Sequence, residues 1–413
     1  YPRKFSVTVS PVVFVPISEI LKSFYFFADV DRMSSDGGLP ALLNGDIVDV
    51  AAVQRRAWLG LSCWPLHRRL AWELVLGVAS PLAASRSLQS RRLVGEYCAQ
   101  LAKWREAATV DDLTASPVGR KSDGTSPNSS GRGSLGVDGA VVGIVQTTSG
   151  NSSVPSLSFD SSTDVFVANE ELAIIKQIRK DVPRSTGGMA ALAHSRSQTL
   201  LERVLFVWAL RHPACGYVQG MNDLAVPFVC VVIADELRMP PEDLFSTKCH
   251  GDALVSTIPA DAWEARIEPA VYWMTSRFIE RLHDNFTGNQ RGAHRMVADL
   301  EAIVKAADPS LWKSIVTVSD VPFALFSFRW INCLLQRELS FAPALRLMDT
   351  YVADEIPVVS FHPYVCAAFL LRFRPLVLAH ARDLGTLLPV LQNLPTQSWA
   401  VRDVDELVAS AFV

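Results

Sequence analysis

Apolar residues in this chain recur every three or four positions, and that period confines most of it to packed helices. In 169–182, Leu172, Ile175, Ile178 and Val182 form one stripe. Leu201, Val204, Leu205 and Trp208 do the same in 197–211, with Ser195 and Gln198 placed as a capping box. His212-Pro213 should stop that helix, because proline disfavours helical backbone at the residue before it. Leu325, Phe328, Ile331, Leu335 and Leu339 mark a further stripe across 325–339. Alternating strand patterns are scarce. Val7–Val15 reads as a short strand, weakened by its neighbouring prolines, and no repeat of 20–50 residues appears. The expected class is all-α.

A 49% hydrophobic content over 413 residues can bury a core of two or three packed units. Net charge is −3, so a basic surface for nucleic acid is not expected. The seven cysteines occur singly, without a CxxC pair, which fits reduced thiols in a cytosolic protein. The sequence starts at Tyr1, as a trimmed chain would, so the lack of a signal peptide is uninformative. Pro16, Glu19 and Lys22 interrupt the apolar run Pro11–Phe27, and Leu224–Ala234 is too short to span a bilayer. Both read as core helices.

Composition divides the chain. Residues 1–50 form a flanking segment and 51–105 a first ordered region. Residues 106–163 are dominated by Ser, Gly, Thr and Asp, and bury too little to offset chain entropy, so a disordered insertion is expected. Residues 164–240 hold the sharpest motifs, and 241–413 form a second helical region.

The first motif is Ile178-Arg-Lys-Asp181-Val-Pro183-Arg184. Pro183 should end the preceding helix near Asp181, leaving Arg184 to project from the following loop. Asp181 at a helix C-terminus opposes the helix dipole, so it either orients the nearby arginine or makes an ordinary surface ion pair. The second motif is Gly216-Tyr217-Val218-Gln219-Gly220-Met-Asn222-Asp223. Its glycines allow a tight loop, and a buried helix over roughly 221–237 should follow. Gln219 then sits at a helix entrance, held but not buried. An ordinary turn with a capping glutamine is the plainer alternative.

Together these motifs resemble the TBC domain of Rab GTPase-activating proteins, whose paired signatures are I-x-x-D-x-x-R and Y-x-Q-G. Arg68, Trp72, Leu74 and Gly77 match the family's opening pattern, and 328–339, 345–351 and 361–373 resemble its later segments. The likeness covers roughly 50–105 and 165–385 and is nearest to the Golgi-associated subgroup.

The resemblance implies a two-lobed, V-shaped helical fold with a groove. It also implies a GTP-bound Rab-type small GTPase as partner, with GTP and Mg²⁺ carried by that partner. Arg184 and Gln219 would be the catalytic pair: Arg184 neutralises transition-state charge and Gln219 orients the attacking water. Asp181, Tyr217 and Gly220 would support them. Asn222 and Asp223 would line the partner surface or cap the next helix. Arg203 and Arg329 would contact the GTPase or brace the core, and Trp72, Trp208 and Trp330 would be core. The chain would activate another protein's hydrolysis rather than hydrolyse nucleotide itself, from the cytoplasm or as a peripheral protein at Golgi or other endomembranes. A binding scaffold without catalysis is the alternative.

Met348 stands where the family often has Trp, and Gly60-Leu61-Ser62 precedes Cys63-Trp64-Pro65 where many relatives run directly from Gly to Pro. No G-x-x-x-x-G-K-[ST] loop is present; Gly119-Arg120-Lys121-Ser122 is only a fragment of one. His212, Cys215, Cys249 and His250 lack standard zinc spacing, and no Gly-x-Ser-x-Gly elbow occurs.

Overall fold

The computed structural model describes residues 38–114, 162–246 and 248–412. The strand reading at Val7–Val15 and the helix reading at Pro11–Phe27 lie outside these. So does most of the expected insertion, although helix runs on through Thr114 and the next begins at Ser162.

Among the described residues the regular structure is helical, with two isolated β-bridges. The principal helices are α1 (Val50–Trp58), α2 (Arg68–Val75), α3 (Ala83–Thr114), α4 (Ser162–Asp181), α5 (Ser195–Arg211) and α6 (Met221–Glu236). They continue as α7 (Glu268–Glu280), α8 (Arg291–Ala307), α9 (Ala324–Asn332), α10 (Phe341–Ala353), α11 (Val358–Arg372) and α12 (Val401–Ser410). Helices α3 to α7 pack on one another, as do α8, α9 and α11. Helix α1 crosses the sequence to lie on α10, and α2 touches both α6 and α10. No described helix is long and apolar enough to cross a membrane.

The sequence stripes are buried where expected. Ile175, Ile178, Val182, Leu201, Val204, Leu205 and Trp208 all face the core, with Trp72, Trp330 and Met348. Two readings need correction. Helix α5 is capped by His194, whose Nδ1 accepts the Arg196 N–H at 3.2 Å, while Gln198 turns to the Ala193 carbonyl. Ser195 is already helical, so it forms no capping box. The stripe over 325–339 is not one helix either. Helix α9 stops at Asn332, and Leu334 and Leu335 take left-handed backbone, at φ 48° and 59°. The Leu335 N–H closes back on the Trp330 carbonyl at 3.0 Å. This reversal buries both leucines completely and leaves Leu325 half exposed.

Polar groups tie α2 to α10. Arg68 is fully buried. Its Nε donates to Asp349 Oδ1 at 3.0 Å and its Nη1 to Glu242 at 2.8 Å. Trp72 Nε1 and the Leu61 N–H also donate to Asp349, at 3.0 and 2.9 Å. The opening Arg–Trp pattern is therefore a fastening, made to a residue 281 positions away.

His362 joins α9, α10 and α11. It lies between the Tyr351 hydroxyl at 2.6 Å and the Trp330 carbonyl at 3.0 Å. Burial pushes its imidazole down to about 4, against the smaller upward pull of the Trp330 carbonyl. The folded value lies below the ordinary 6.5, so the folded state resists protonation that the unfolded chain accepts. The associated stability is fully present above pH 6.5 and is lost as the pH falls toward 4, by up to about 3 kcal/mol. Urea unfolding between pH 7 and pH 4 should show this loss, and His362→Gln should flatten it.

Candidate functional site

Helix α4 ends at Asp181 as Pro183 requires, and residues Val182–Thr186 continue as one 3-10 turn. Gly187, at φ 53°, closes that turn in left-handed backbone that glycine adopts without steric cost. The turn buries Val182 and Ser185 inward, so Arg184 points outward. The Arg184 side chain is 66% exposed, and its Nη1 lies 3.5 Å from Asp181 Oδ1.

Asp181 is not a surface group. It is buried, and its Oδ2 accepts Gln177 Nε2 at 3.0 Å and the Tyr217 hydroxyl at 3.2 Å. Burial, with the adjoining Asp181 carboxylate, pushes the Tyr217 hydroxyl well above its usual range, so it stays a proton donor. The same hydroxyl lies 3.2 Å from Asn222 Oδ1.

Asn222, fully buried in the first turn of α6, closes the second loop onto the first. Its Oδ1 accepts the Gly220 N–H at 3.0 Å, and its Nδ2 donates to Ser185 Oγ at 2.7 Å. Ser185 Oγ reaches back to the Asp181 carbonyl at 3.4 Å. Two cross-links, Tyr217–Asp181 and Asn222–Ser185, therefore bind the 181–185 turn to the 217–222 loop. Gly220 turns that loop into α6 with φ 109°. Gln219 lies immediately before it and is exposed.

Arg184 opens onto a groove of about 680 Å³ that also takes in Met189, Asp223, Pro227, Phe245, Arg329, Arg337 and Phe341. Asp223 is nearly buried, and its Oδ2 meets Arg337 Nη2 at 2.9 Å. Arg329 lines the groove too, but its guanidinium is held by Glu338, at 2.7 and 3.0 Å, and by the Gln392 carbonyl at 2.8 Å. Arg203 is a core brace, bonded to Glu264 and Glu268 and stacked on Trp104.

Among the residues singled out from sequence, Asp181, Arg184, Tyr217, Gly220 and Asn222 thus belong to one network, with Gln219 exposed on its loop. Asn222 serves as its internal brace rather than as lining. Sequence reasoning missed Gln177, Ser185 and Arg337. Gln177 could have been found, since it stands one helical turn before Asp181 on the same face. Ser185 and Arg337 carried no local signal.

The sequence and the fold have counterparts among known proteins. A family model for the Rab-GTPase-TBC domain matches residues 156–378. The "GTPase-activating protein gyp1" of Schizosaccharomyces pombe is 36% identical over 373 residues, covering 90% of this chain and 59% of that protein. "TBC1 domain family member 22A" of Mus musculus is 39% identical over 237 residues, or 57% of this chain and 44% of that protein. The chain therefore spans about half the length of these relatives. Among solved structures, the Ypt/Rab-GAP domain of Gyp1p superposes with a TM-score of 0.69 at 25% identity, covering 93% of this chain and 97% of that one. With the family model covering more than half of the sequence and the described residues all-helical like the Gyp1p domain they superpose on, this chain belongs to the Rab-GTPase-TBC domain family.

Proposed function

We propose that this protein accelerates GTP hydrolysis by a Rab-type small GTPase, supplying an arginine and a glutamine in trans. The supporting observation is the pair of cross-linked loops, each presenting an exposed polar side chain, Arg184 and Gln219. Hydrolysis gathers negative charge on the transferring phosphoryl oxygens and needs a positioned water. The Arg184 guanidinium neutralises that charge. The Gln219 carboxamide, with a donor and an acceptor on one planar group, orients the water. GTP and Mg²⁺ are carried by the partner, and this chain only positions and neutralises. Buried Asp181 and Asn222 hold the two loops in a fixed relation before the partner arrives, so little ordering remains to be done in the complex. The sequence segments that resemble the Golgi-associated subgroup support peripheral action at Golgi or other endomembranes.

The test is single-turnover hydrolysis across a panel of GTP-loaded Rabs. At least one Rab should respond, and Gln219→Ala should slow that reaction on the order of 10²-fold. Tight binding of a GTP-loaded Rab with no rate change would instead make the protein a scaffold.

A further inference from the structure

The Gln219 loop is fastened on two sides. One side is the arginine turn already described. The other is the reversal at 333–337, where the chain leaves α9. Asp223, four residues after Gln219 and in the first turn of α6, carries this second fastening. Its Oδ2 accepts Arg337 Nη2 at 2.9 Å and the Cys333 thiol at 3.5 Å. Burial, with the facing Asp223 carboxylate, pushes the Cys333 thiol up, which keeps it a neutral donor. Gly220 packs on the same reversal: a Cβ placed there would lie 3.7 Å from Cys333 Sγ and 3.8 Å from Asn332 Cβ.

The reversal itself is strained. Leu334 and Leu335 are consecutive left-handed residues, a conformation that a Cβ makes costly. Such backbone survives only where the surroundings over-determine it, and it gathers at functional sites. Here the strain seats both leucines in the core and delivers Cys333 and Arg337 to one carboxylate.

We propose that the 333–337 reversal is a second support for the water-orienting loop, with Arg337 the positioning residue that fixes Gln219 through Asp223. This rests on the role given to Gln219 above. Arg337 also opens onto the groove beside Arg184, so a direct contact with the GTPase is the competing role. The two differ in what they change. A positioning residue alters the rate at saturation and acts only while Gln219 is present. A contact residue alters half-saturation and acts regardless.

The experiment measures single-turnover hydrolysis on a responsive Rab as a function of protein concentration, for Arg337→Gln, Arg337→Lys, and Arg337→Gln combined with Gln219→Ala or with Arg184→Ala. Arg337→Gln should lower the saturating rate about tenfold with half-saturation unchanged. Arg337→Lys, which keeps the charge facing Asp223, should recover most of it. In the Gln219→Ala background Arg337→Gln should cost nothing further, and in the Arg184→Ala background it should keep its full effect. A loss that persists without Gln219, or that appears as raised half-saturation, overturns the positioning role and leaves the proposed activity standing. A wild-type protein that accelerates no Rab overturns both.

Discussion

Arg184→Ala will lower the stimulated hydrolysis rate of a responsive Rab by about 10³-fold or more, while fold and partner binding stay close to wild type. An arginine supplied to a GTPase is worth on the order of 10³–10⁵ in rate, or about 4–7 kcal/mol of barrier. The stability side is small because the side chain is mostly exposed and its contact with Asp181 is long, at 3.5 Å. An exposed guanidinium held at that distance contributes about 0–1 kcal/mol, and the buried Asp181 carboxylate keeps Gln177 and Tyr217 as donors when Arg184 is removed. The variant should therefore melt with the wild type, titrate onto the same GTP-loaded Rab, and fail only at the chemical step. Arg184→Lys should restore little, since an ammonium lacks the planar fork that meets phosphoryl oxygens pairwise. Single-turnover rates at saturating protein decide the matter: a residual rate within tenfold of wild type would remove Arg184 from the chemistry.

Asp349→Ala is expected to be the most destabilising single change, at about 3–5 kcal/mol. The carboxylate is fully buried and accepts from the Arg68 guanidinium, the Trp72 indole and the Leu61 N–H. Removing it strands a buried guanidinium whose remaining ionic partner is Glu242. Breaking such a pair by deleting one member costs far more than the pair itself contributes, because the surviving charge is left desolvated. Glu242 lines the groove, so part of the damage should reach the site. Asp349→Asn should fall between, keeping the shape and an acceptor but not the charge. Urea denaturation measures both, and a loss below about 1 kcal/mol for Asp349→Ala would show that the crossing of α2 to α10 is held by packing alone.

The helical class was legible from the 3.6-residue period, because a helix buries one stripe and the stripe is written locally. Helix ends at proline were legible for the same reason: the clash of Pro183 with its predecessor is a matter of adjacent atoms. The paired motifs marked Arg184 and Gln219 as side chains leaving loops, and the resemblance they carry named the family. The 325–339 stripe shows where period fails. Apolar spacing continued past Asn332 although the backbone reversed there, since Leu334 and Leu335 bury equally well from a left-handed turn. Asp181 shows a second failure. Its sequence position suited a surface ion pair, yet a tyrosine 36 residues onward seals it into the interior. Ser185 with Asn222, Asp223 with Arg337 and Arg68 with Asp349 lie 37, 114 and 281 positions apart. The sequence alone determined which side chains are polar and which way each helix faces. Only the tertiary structure decided which polar group meets which, because a hydrogen bond depends on where two distant helices dock, and no local spacing encodes that.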